Sequence, residues 1–347
     1  MYEIGIWGQF GDGGKIADGQ AVRTTIITNE LRQRYGADRV LIANTNGWKK
    51  RKASFFLECV RLIRRSKRVL IAPADNGFKV FVPILMAINS IFHRELYYIV
   101  IGGFLPQLLK DHPRYKKLVN RFRALFVQTE NLKKDLQALG VERIYILSNP
   151  KRLHTRSESE LTLQTEQKLK LCVFSRIYGD KGVEDAIEAV RLANQRLGGE
   201  YLSLDLYGLL PDAYRERLSE LLKQYGSFVR YLGIVDYDKT VETLKNYFLM
   251  LFPTYYHGEG FPGNVVDAYN SALPIIATDW LYNSDVIKDG RNGILVPIKD
   301  PEAIADAILR LYHDRALALQ FAKNCLEDAA QYQPDRVLAE FYRVLES

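Results

Sequence analysis

Two α/β domains in tandem, each a parallel sheet with helices on both faces, are what the sequence predicts. Three observations carry the prediction. Short apolar runs alternate with segments of helical periodicity, a polar stretch at 151–167 interrupts the alternation near the middle, and 347 residues with 47% apolar side chains suffice for two cores.

In the first half the apolar runs are Tyr2 to Trp7, Arg39 to Ala43, Arg68 to Ala72, Tyr97 to Ile101, Ala124 to Gln128 and Arg143 to Leu147. Each is the length of a buried parallel strand and is followed by a helical pattern, as a β-α-β crossover requires. After the first run, Gly8, Gly11, Gly13, Gly14 and Gly19 punctuate a loop leading into a helix expected over Ala21 to Tyr35. Such a loop either lets backbone and helix N–H groups meet an anion or is a plain structural turn. It is not a Walker A loop, because Lys15 is followed by Ile16 and position 9 is Gln. The run Val80 to Phe92 contains Pro83, Asn89 and Ser90 and falls short of the ~20 residues of a spanning helix, so a buried helix is expected there.

Residues 151–167, rich in Ser, Thr, Glu, Arg and Lys, read as an interdomain linker. The domains are therefore placed at 1–150 and 168–330, with 331–347 a terminal helix that packs back on the first. In the second half the runs are Leu169 to Phe174, Leu202 to Tyr207, Phe228 to Leu232, Tyr247 to Phe252, Pro274 to Thr278 and Gly293 to Pro297. Two such halves imply a cleft between them. Open parallel sheets bind ligands beyond the carboxyl ends of their strands, so the loops leaving these runs are where chemistry is sought.

No signal-peptide pattern opens the sequence. Cys59, Cys172 and Cys325 lie far apart in apolar surroundings, which argues against both a disulfide framework and a zinc site and fits a reducing cytoplasm. The net charge of +7 hides an asymmetry. Residues 1–150 hold 25 Lys and Arg against 12 Asp and Glu, whereas 151–347 hold 23 against 29. Much of the positive charge falls in 49–68 and 110–123. A solvated helix face, a surface for anionic lipid at roughly 1 kcal/mol per basic residue, and nucleic acid are the three readings. The last is disfavoured, since no RNP-type aromatic motif, zinc finger or basic zipper accompanies the charge.

Three segments carry candidate chemistry. Arg176 and Lys181 follow a strand, with Gly179 and Gly182 permitting a tight bend; two cations there suit a diphosphate leaving group, although surface cations are common. The segment Glu259-Gly260-Phe261-Pro262-Gly263-Asn264-Val265-Val266-Asp267 reads as a loop entering a helix. Gly263 and Asn264 would offer N–H groups to phosphate oxygens. Asp267, one turn in, could accept hydrogen bonds from a ribose diol, and Glu259 from sugar hydroxyls. Asp236-Tyr237-Asp238 could bind a metal as a D-x-D, but its place before a helix makes N-capping the better reading. His257, Tyr255 and Tyr256 either touch ligand or only pack the loop.

Glu259, seven intervening residues and then an acidic residue, together with Arg176, Lys181 and Gly19, resembles the family 4 (group 1) retaining glycosyltransferases of GT-B fold. Ile101-Gly102-Gly103-Phe104-Leu105-Pro106, Gly19 to Thr24 and Ala277 to Asn283 support the likeness, which covers nearly the whole chain and points to enzymes of capsule, exopolysaccharide and O-antigen synthesis. The resemblance implies two Rossmann-like domains. In the second, Glu259 would meet donor-sugar hydroxyls, Asp267 the ribose, and Arg176 and Lys181 the diphosphate, with Gly260, Phe261, Pro262, Gly263, Asn264 and Val265 around the donor. Backbone near Gly233 to Val235 would meet the base, and Gly19 and Gln20 would reach the donor from the first domain. Asp267 stands where relatives usually carry Glu, and Gly102 and Gly103 where many carry His.

The implied activity is retaining transfer from a nucleotide-diphosphate sugar, UDP- or GDP-linked, to a saccharide acceptor, expected to be lipid-linked, in bacterial surface polysaccharide synthesis. No essential metal and no other cofactor is expected. The expected location is cytoplasmic, with a peripheral association with an anionic membrane through the first half as one reading. A nucleotide-sugar epimerase and a non-catalytic nucleotide-sugar- or membrane-binding partner are the alternatives.

Overall fold

The computed structural model describes residues 1–10 and 19–347, so Gly11, Gly13, Gly14 and Lys15 of the glycine-rich loop lie outside the described residues. The chain divides into two compact units, one of Met1–Lys151 with Gln333–Ser347 and one of Arg152–Tyr332.

In the first unit, strands β1 (Tyr2–Gly8), β2 (Val40–Asn44), β3 (Ser66–Ala72), β4 (Glu95–Ile99), β5 (Ala124–Val127) and β6 (Ile144–Ile146) form one sheet in the order β2-β1-β3-β4-β5-β6. All of its pairings are parallel. The crossovers are α1 (Gly19–Tyr35), α2 (Lys52–Arg65), α3 (Asp75–Phe92), α4 (Leu105–Asp111) with α5 (Arg114–Val119), and α6 (Glu130–Ala138). Inside α1, Arg23 is almost fully buried and donates to the carbonyls of Val100 at 3.0 Å and Leu147 at 2.5 Å. It thereby ties the ends of β4 and β6 together, and burial pushes its pKa down to about 9.

The helix α3 corrects one expectation. Phe78, Phe81, Val82, Leu85 and Met86 are buried, but Val80 is 43% and Ile91 72% exposed, so the run is one-sided rather than sunk in the core. Its apolar outer positions made a stripe look like a solid rod. Among the described residues no helix is long and apolar enough to cross a membrane.

The second unit contains β7 (Leu169–Phe174), α7 (Val183–Leu197), β8 (Leu202–Tyr207), α8 (Arg215–Tyr225), β9 (Val229–Gly233), α9 (Thr240–Leu244), β10 (Leu249–Phe252), α10 (Gly263–Asn270), β11 (Ile275–Thr278), α11 (Asn283–Val286), β12 (Gly293–Val296), α12 (Pro301–His313) and α13 (Arg315–Ala329). Its sheet is also parallel, in the order β12-β11-β10-β7-β8-β9. Read from the first strand, that is the order of a dinucleotide-binding sheet, with the direction of winding reversing between β7 and β10. Residues 152–167 lie along this unit. The Arg156 N–H donates to Asn270 O, the Thr155 hydroxyl to Asn270 Oδ1, and the Tyr312 hydroxyl to Gln167 O.

The three cysteines are buried and unpaired with one another. Burial raises all three thiols, Cys59 to about 11.

The last helix, α14 (Pro334–Glu346), belongs to the first unit and completes its core. Leu338, Phe341, Val344 and Leu345 join Ile4, Ile27, Tyr97 and Phe126, and the Phe341 and Phe126 rings meet edge-on at 4.8 Å. Arg34 and Tyr35 of α1 both donate to Glu346. Because Phe341 is fully buried, Phe341→Ala should destabilise the first unit by roughly 3–5 kcal/mol. Differential scanning calorimetry should show one transition shifted down while the other stays near its wild-type position.

Candidate nucleotide-sugar site at the exits of β7 and β10

β7 and β10 are hydrogen-bonded neighbours, with Leu171 opposite Leu249 and Cys172 opposite Met250. Winding reverses between them, so the loops that leave them meet at the switch point, where open parallel sheets hold ligands in a crevice at the strand ends. Nearly every candidate residue of the second unit lies on these two loops or on the helix that follows.

Two close backbone approaches shape the crevice. Gly182, at φ +70°, sits so near the end of β10 that a Cβ on it would stand 2.0 Å from Pro253 O. Gly208, at φ +142°, would place a Cβ 1.8 Å from Ser175 O. Only glycine meets both requirements, conformation and space. Further bonds hold the loops. The Tyr255 N–H donates to Asp180 O at 2.9 Å, Asn264 Nδ2 to Phe174 O at 2.7 Å, and the Thr278 hydroxyl to Thr254 O.

Within this frame Lys181 and Glu259 form an ion pair of 2.5 Å, although 78 residues separate them. Their side chains are only 8% and 10% exposed. The Thr254 hydroxyl, itself buried, donates to the same Glu259 oxygen, Oε2, at 3.0 Å. The Lys181 ammonium also lies 4.9 Å from the centre of the Tyr256 ring. Arg176 lies 5.7 Å from the rings of both Tyr256 and Tyr178, so one tyrosine is shared by the two cations. The Arg176 side chain is exposed, and burial pushes the Tyr178 phenol up to about 12 despite that nearby positive charge.

The following segment seals the crevice floor. Gly260, Phe261 and Pro262 are buried, Gly263 and Asn264 are half-buried at the start of α10, and Val265 is fully buried behind them. Asp267 is 4% exposed on the first turns of α10, and its negative charge helps burial raise the phenol of Tyr237, which follows β9. Tyr237 comes just after β9, where Gly233 takes φ +80° and Val235 is half-buried. Arg176, Lys181 and Glu259 thus meet at the carboxyl ends of β7 and β10, and Asp267 stands on α10, the helix that follows. Gly19 and Gln20 belong to the first unit, where Gln20 donates to Ala72 O at the end of β3.

Some sequence expectations change here. Asp236 does occupy the residue before a short helical turn, but its side chain makes no capping bond and instead lies 3.6 Å from Lys239. The exposed turn leaves its N–H groups to water, which removes the need for a cap. Among the described residues no group of three His, Cys, Asp or Glu side chains is placed to hold a metal ion. His257 is exposed against the Trp280 ring at 5.8 Å, while Trp280 Nε1 donates to Tyr256 O. Sequence reasoning missed Thr254, Tyr178 and Tyr237. Only Thr254 had a usable signal, a hydroxyl one residue past Pro253 in the loop that carries Glu259.

The fold is that of an α/β protein whose candidate site lies at the switch point of a parallel sheet. Residues 168–314, most of the second unit, match the family model described as "Glycosyl transferases group 1". The chain spans about half the length of the first curated relatives it matches. It is 24% identical over 66% of its length to a poly(ribitol-phosphate) alpha-N-acetylglucosaminyltransferase of Staphylococcus aureus, covering 45% of that protein. It is 25% identical over 77% of its length to an N,N'-diacetylbacillosaminyl-diphospho-undecaprenol alpha-1,3-N-acetylgalactosaminyltransferase of Campylobacter jejuni, covering 65% of that protein. Among solved structures, HepE of Anabaena in complex with UDP and glucose superimposes over the whole of both chains, with a TM-score of 0.76 at 17% identity. That likeness gives the fold: two Rossmann-like domains of the GT-B kind.

The approach of Gly182 to Pro253 yields a direct test of the frame. Gly182→Ala combines a left-handed backbone, at about 1–3 kcal/mol, with a clash against main chain that cannot swing aside. Urea unfolding should show the second unit destabilised by at least about 2 kcal/mol, whereas Gly179→Ala, where a Cβ meets nothing within 4 Å, should stay within about 1 kcal/mol of wild type.

Proposed function

We propose that this chain is a retaining glycosyltransferase that moves a sugar from a UDP- or GDP-sugar to a saccharide acceptor, lipid-linked, in bacterial surface polysaccharide synthesis. The observation that carries the reading is the meeting of Arg176, Lys181 and Glu259 at the exits of β7 and β10, with Asp267 on the helix that follows. It is supported by the family-model match over 168–314 and by relatives whose names specify transfer of N-acetylhexosamines.

In this reading Glu259 accepts from a donor-sugar hydroxyl and Asp267 from the ribose. Gly260, Phe261, Pro262, Gly263, Asn264 and Val265 hold the phosphates and sugar against the start of α10, and the backbone around Val235 meets the base. The first unit takes the acceptor, with Gly19 and Gln20 assigned to the donor. Lys181 has three N–H donors, of which Glu259 uses one, so it can still serve a phosphate. Arg176, half surrounded by tyrosines and in no ion pair among the described residues, is the second phosphate cation.

Bond breaking places charge on the leaving diphosphate as the sugar becomes oxocarbenium-like. The departing phosphate oxygen takes the acceptor proton as the new bond forms on the same face. The protein then stabilises charge, at about 3–4 kcal/mol for a well-placed donor group, with no metal required.

A thermal-shift and hydrolysis screen against UDP-, GDP-, ADP- and dTDP-sugars, with EDTA present, should show one donor that stabilises the protein and turns over slowly. Arg176→Ala should lower turnover of that donor about 10²- to 10³-fold with little change in melting temperature. Glu259→Gln, which keeps the shape beside Lys181, should lower it at least about tenfold. No response to any donor, or turnover intact in both variants, would overturn the proposal.

A cytoplasmic site of action on the face of an anionic membrane is part of the same reading. On α2 the exposed Phe56 and Leu57 lie among Lys52, Arg61 and Arg64, which gives the basic first unit apolar side chains to bury in a headgroup layer. Flotation with vesicles containing acidic phospholipid should carry the protein upward, less so for Arg61→Glu with Arg64→Glu. Equal recovery with neutral vesicles would remove this part.

A further inference from the structure

Both partners of Glu259 bind a single oxygen. Lys181 Nζ reaches Oε2 at 2.5 Å and the Thr254 hydroxyl reaches the same Oε2 at 3.0 Å. A carboxylate held at one oxygen by two donors from different directions cannot rotate without losing one of them, so Oε1 is left in a fixed position with its lone pairs unassigned by either partner.

Thr254 is well placed for this task. It is fully buried, its hydroxyl oxygen accepts the Tyr256 N–H at 3.3 Å, and its proton has the Glu259 carboxylate at 3.0 Å as the nearer and charged acceptor, with Asp180 O farther off at 3.4 Å. Its carbonyl accepts the buried Thr278 hydroxyl from the end of β11, and the next N–H, that of Tyr255, donates to Asp180 O beside Lys181. Thr254 thus joins the loops leaving β7, β10 and β11 and aims one side chain, Glu259.

We infer that Thr254 is a positioning residue. Its hydroxyl fixes the Glu259 carboxylate with Oε1 presented to the hydroxyl group of the donor sugar, and it touches no substrate itself. The inference rests on the assignment of Glu259 to the donor sugar made above.

The test uses the full chain and three variants, Thr254→Val, Thr254→Ala and Thr254→Ser, with UDP-glucose and UDP-N-acetylglucosamine as probes for hydrolysis and a crystal structure of Thr254→Val that needs no substrate. Val keeps the shape and removes the hydroxyl, Ala removes it without a second methyl group, and Ser restores it. The expected result is a fall in kcat of about tenfold or more for Val and Ala with KM changed less than threefold, and recovery to within threefold of wild type for Ser. In the Thr254→Val crystal Glu259 should adopt a second rotamer or draw Oε2 away from its wild-type place.

The second mutation should add little to the first, so Thr254→Val in a Glu259→Gln background should be no slower than Glu259→Gln alone. Val and Ala as active as wild type, Ser as impaired as Val, or an unmoved Glu259 carboxylate in the Val crystal each overturn the inference. If Glu259→Gln retains full activity, the functional assignment of Glu259 has failed instead. A probe set that does not react leaves the crystal to decide the positioning claim alone.

Discussion

Placing an ammonium and a carboxylate out of water costs several kcal/mol for each ion, and their attraction repays that only with good geometry and further hydrogen bonds. Lys181 and Glu259 meet those terms because the loops that carry them are anchored twice over. Pro253 O fills the space that a side chain at 182 would need, and Asn264 ties α10 to the end of β7. Thr254 then supplies the extra donor at Oε2. Well-packed apolar residues of similar volume are often as stabilising as a buried ion pair, so stability alone does not account for charges at this place. The proposed polar ligand would account for them.

The same constraint explains the importance of strand order. The first sheet winds β2-β1-β3-β4-β5-β6 and the second, read from β9, winds β9-β8-β7-β10-β11-β12. In the second sheet, three strands are laid down outward from β7 before the chain crosses back to β10. Residues 183–252, 70 residues of crossover and strand, thus intervene between the two loops that must meet, which is why Lys181 finds its partner so far along the sequence. A single local motif could not have delivered a cation and an acid to opposite walls of one crevice.

Much of this was legible in the sequence. Each of the short apolar runs became a strand at or within a residue or two of its expected bounds, because fully buried parallel strands leave uninterrupted apolar stretches. The candidate loops followed, since a parallel sheet exposes its exits at one edge. Three features were not legible. The ion pair joins residues 78 apart, and no periodicity reports a contact across a sheet. The exposed side of α3 is apolar at Val80 and Ile91, so composition mimicked burial. The capping expected of Asp236 depended on a turn whose N–H groups meet solvent, a matter of exposure rather than of residue type.

The uneven charge of the two halves has a structural counterpart. In the second unit, cations are matched locally: Arg196 with Glu302 and Asp306, Arg217 with Glu184 and Glu220, Arg230 with Asp205, Arg291 with Glu327 and Asp328. Such exposed pairs contribute little stability each, but they cancel the field around the crevice at long range. Lys181 is compensated by Glu259, so Arg176, in no ion pair among the described residues, is the cation that leaves positive potential there, as the proposed diphosphate would require. The first unit is built in the opposite way. Lys49, Lys50, Lys52, Arg61 and Arg64 crowd the loop after β2 and the outer face of α2, with Glu58 the only acid between them in sequence and Arg51 already its partner. Water and salt screen the repulsion in an exposed cluster of this kind, so it is stable as a solvated face, and under the proposed membrane reading the exposed Phe56 and Leu57 within it would enter the layer beneath the headgroups.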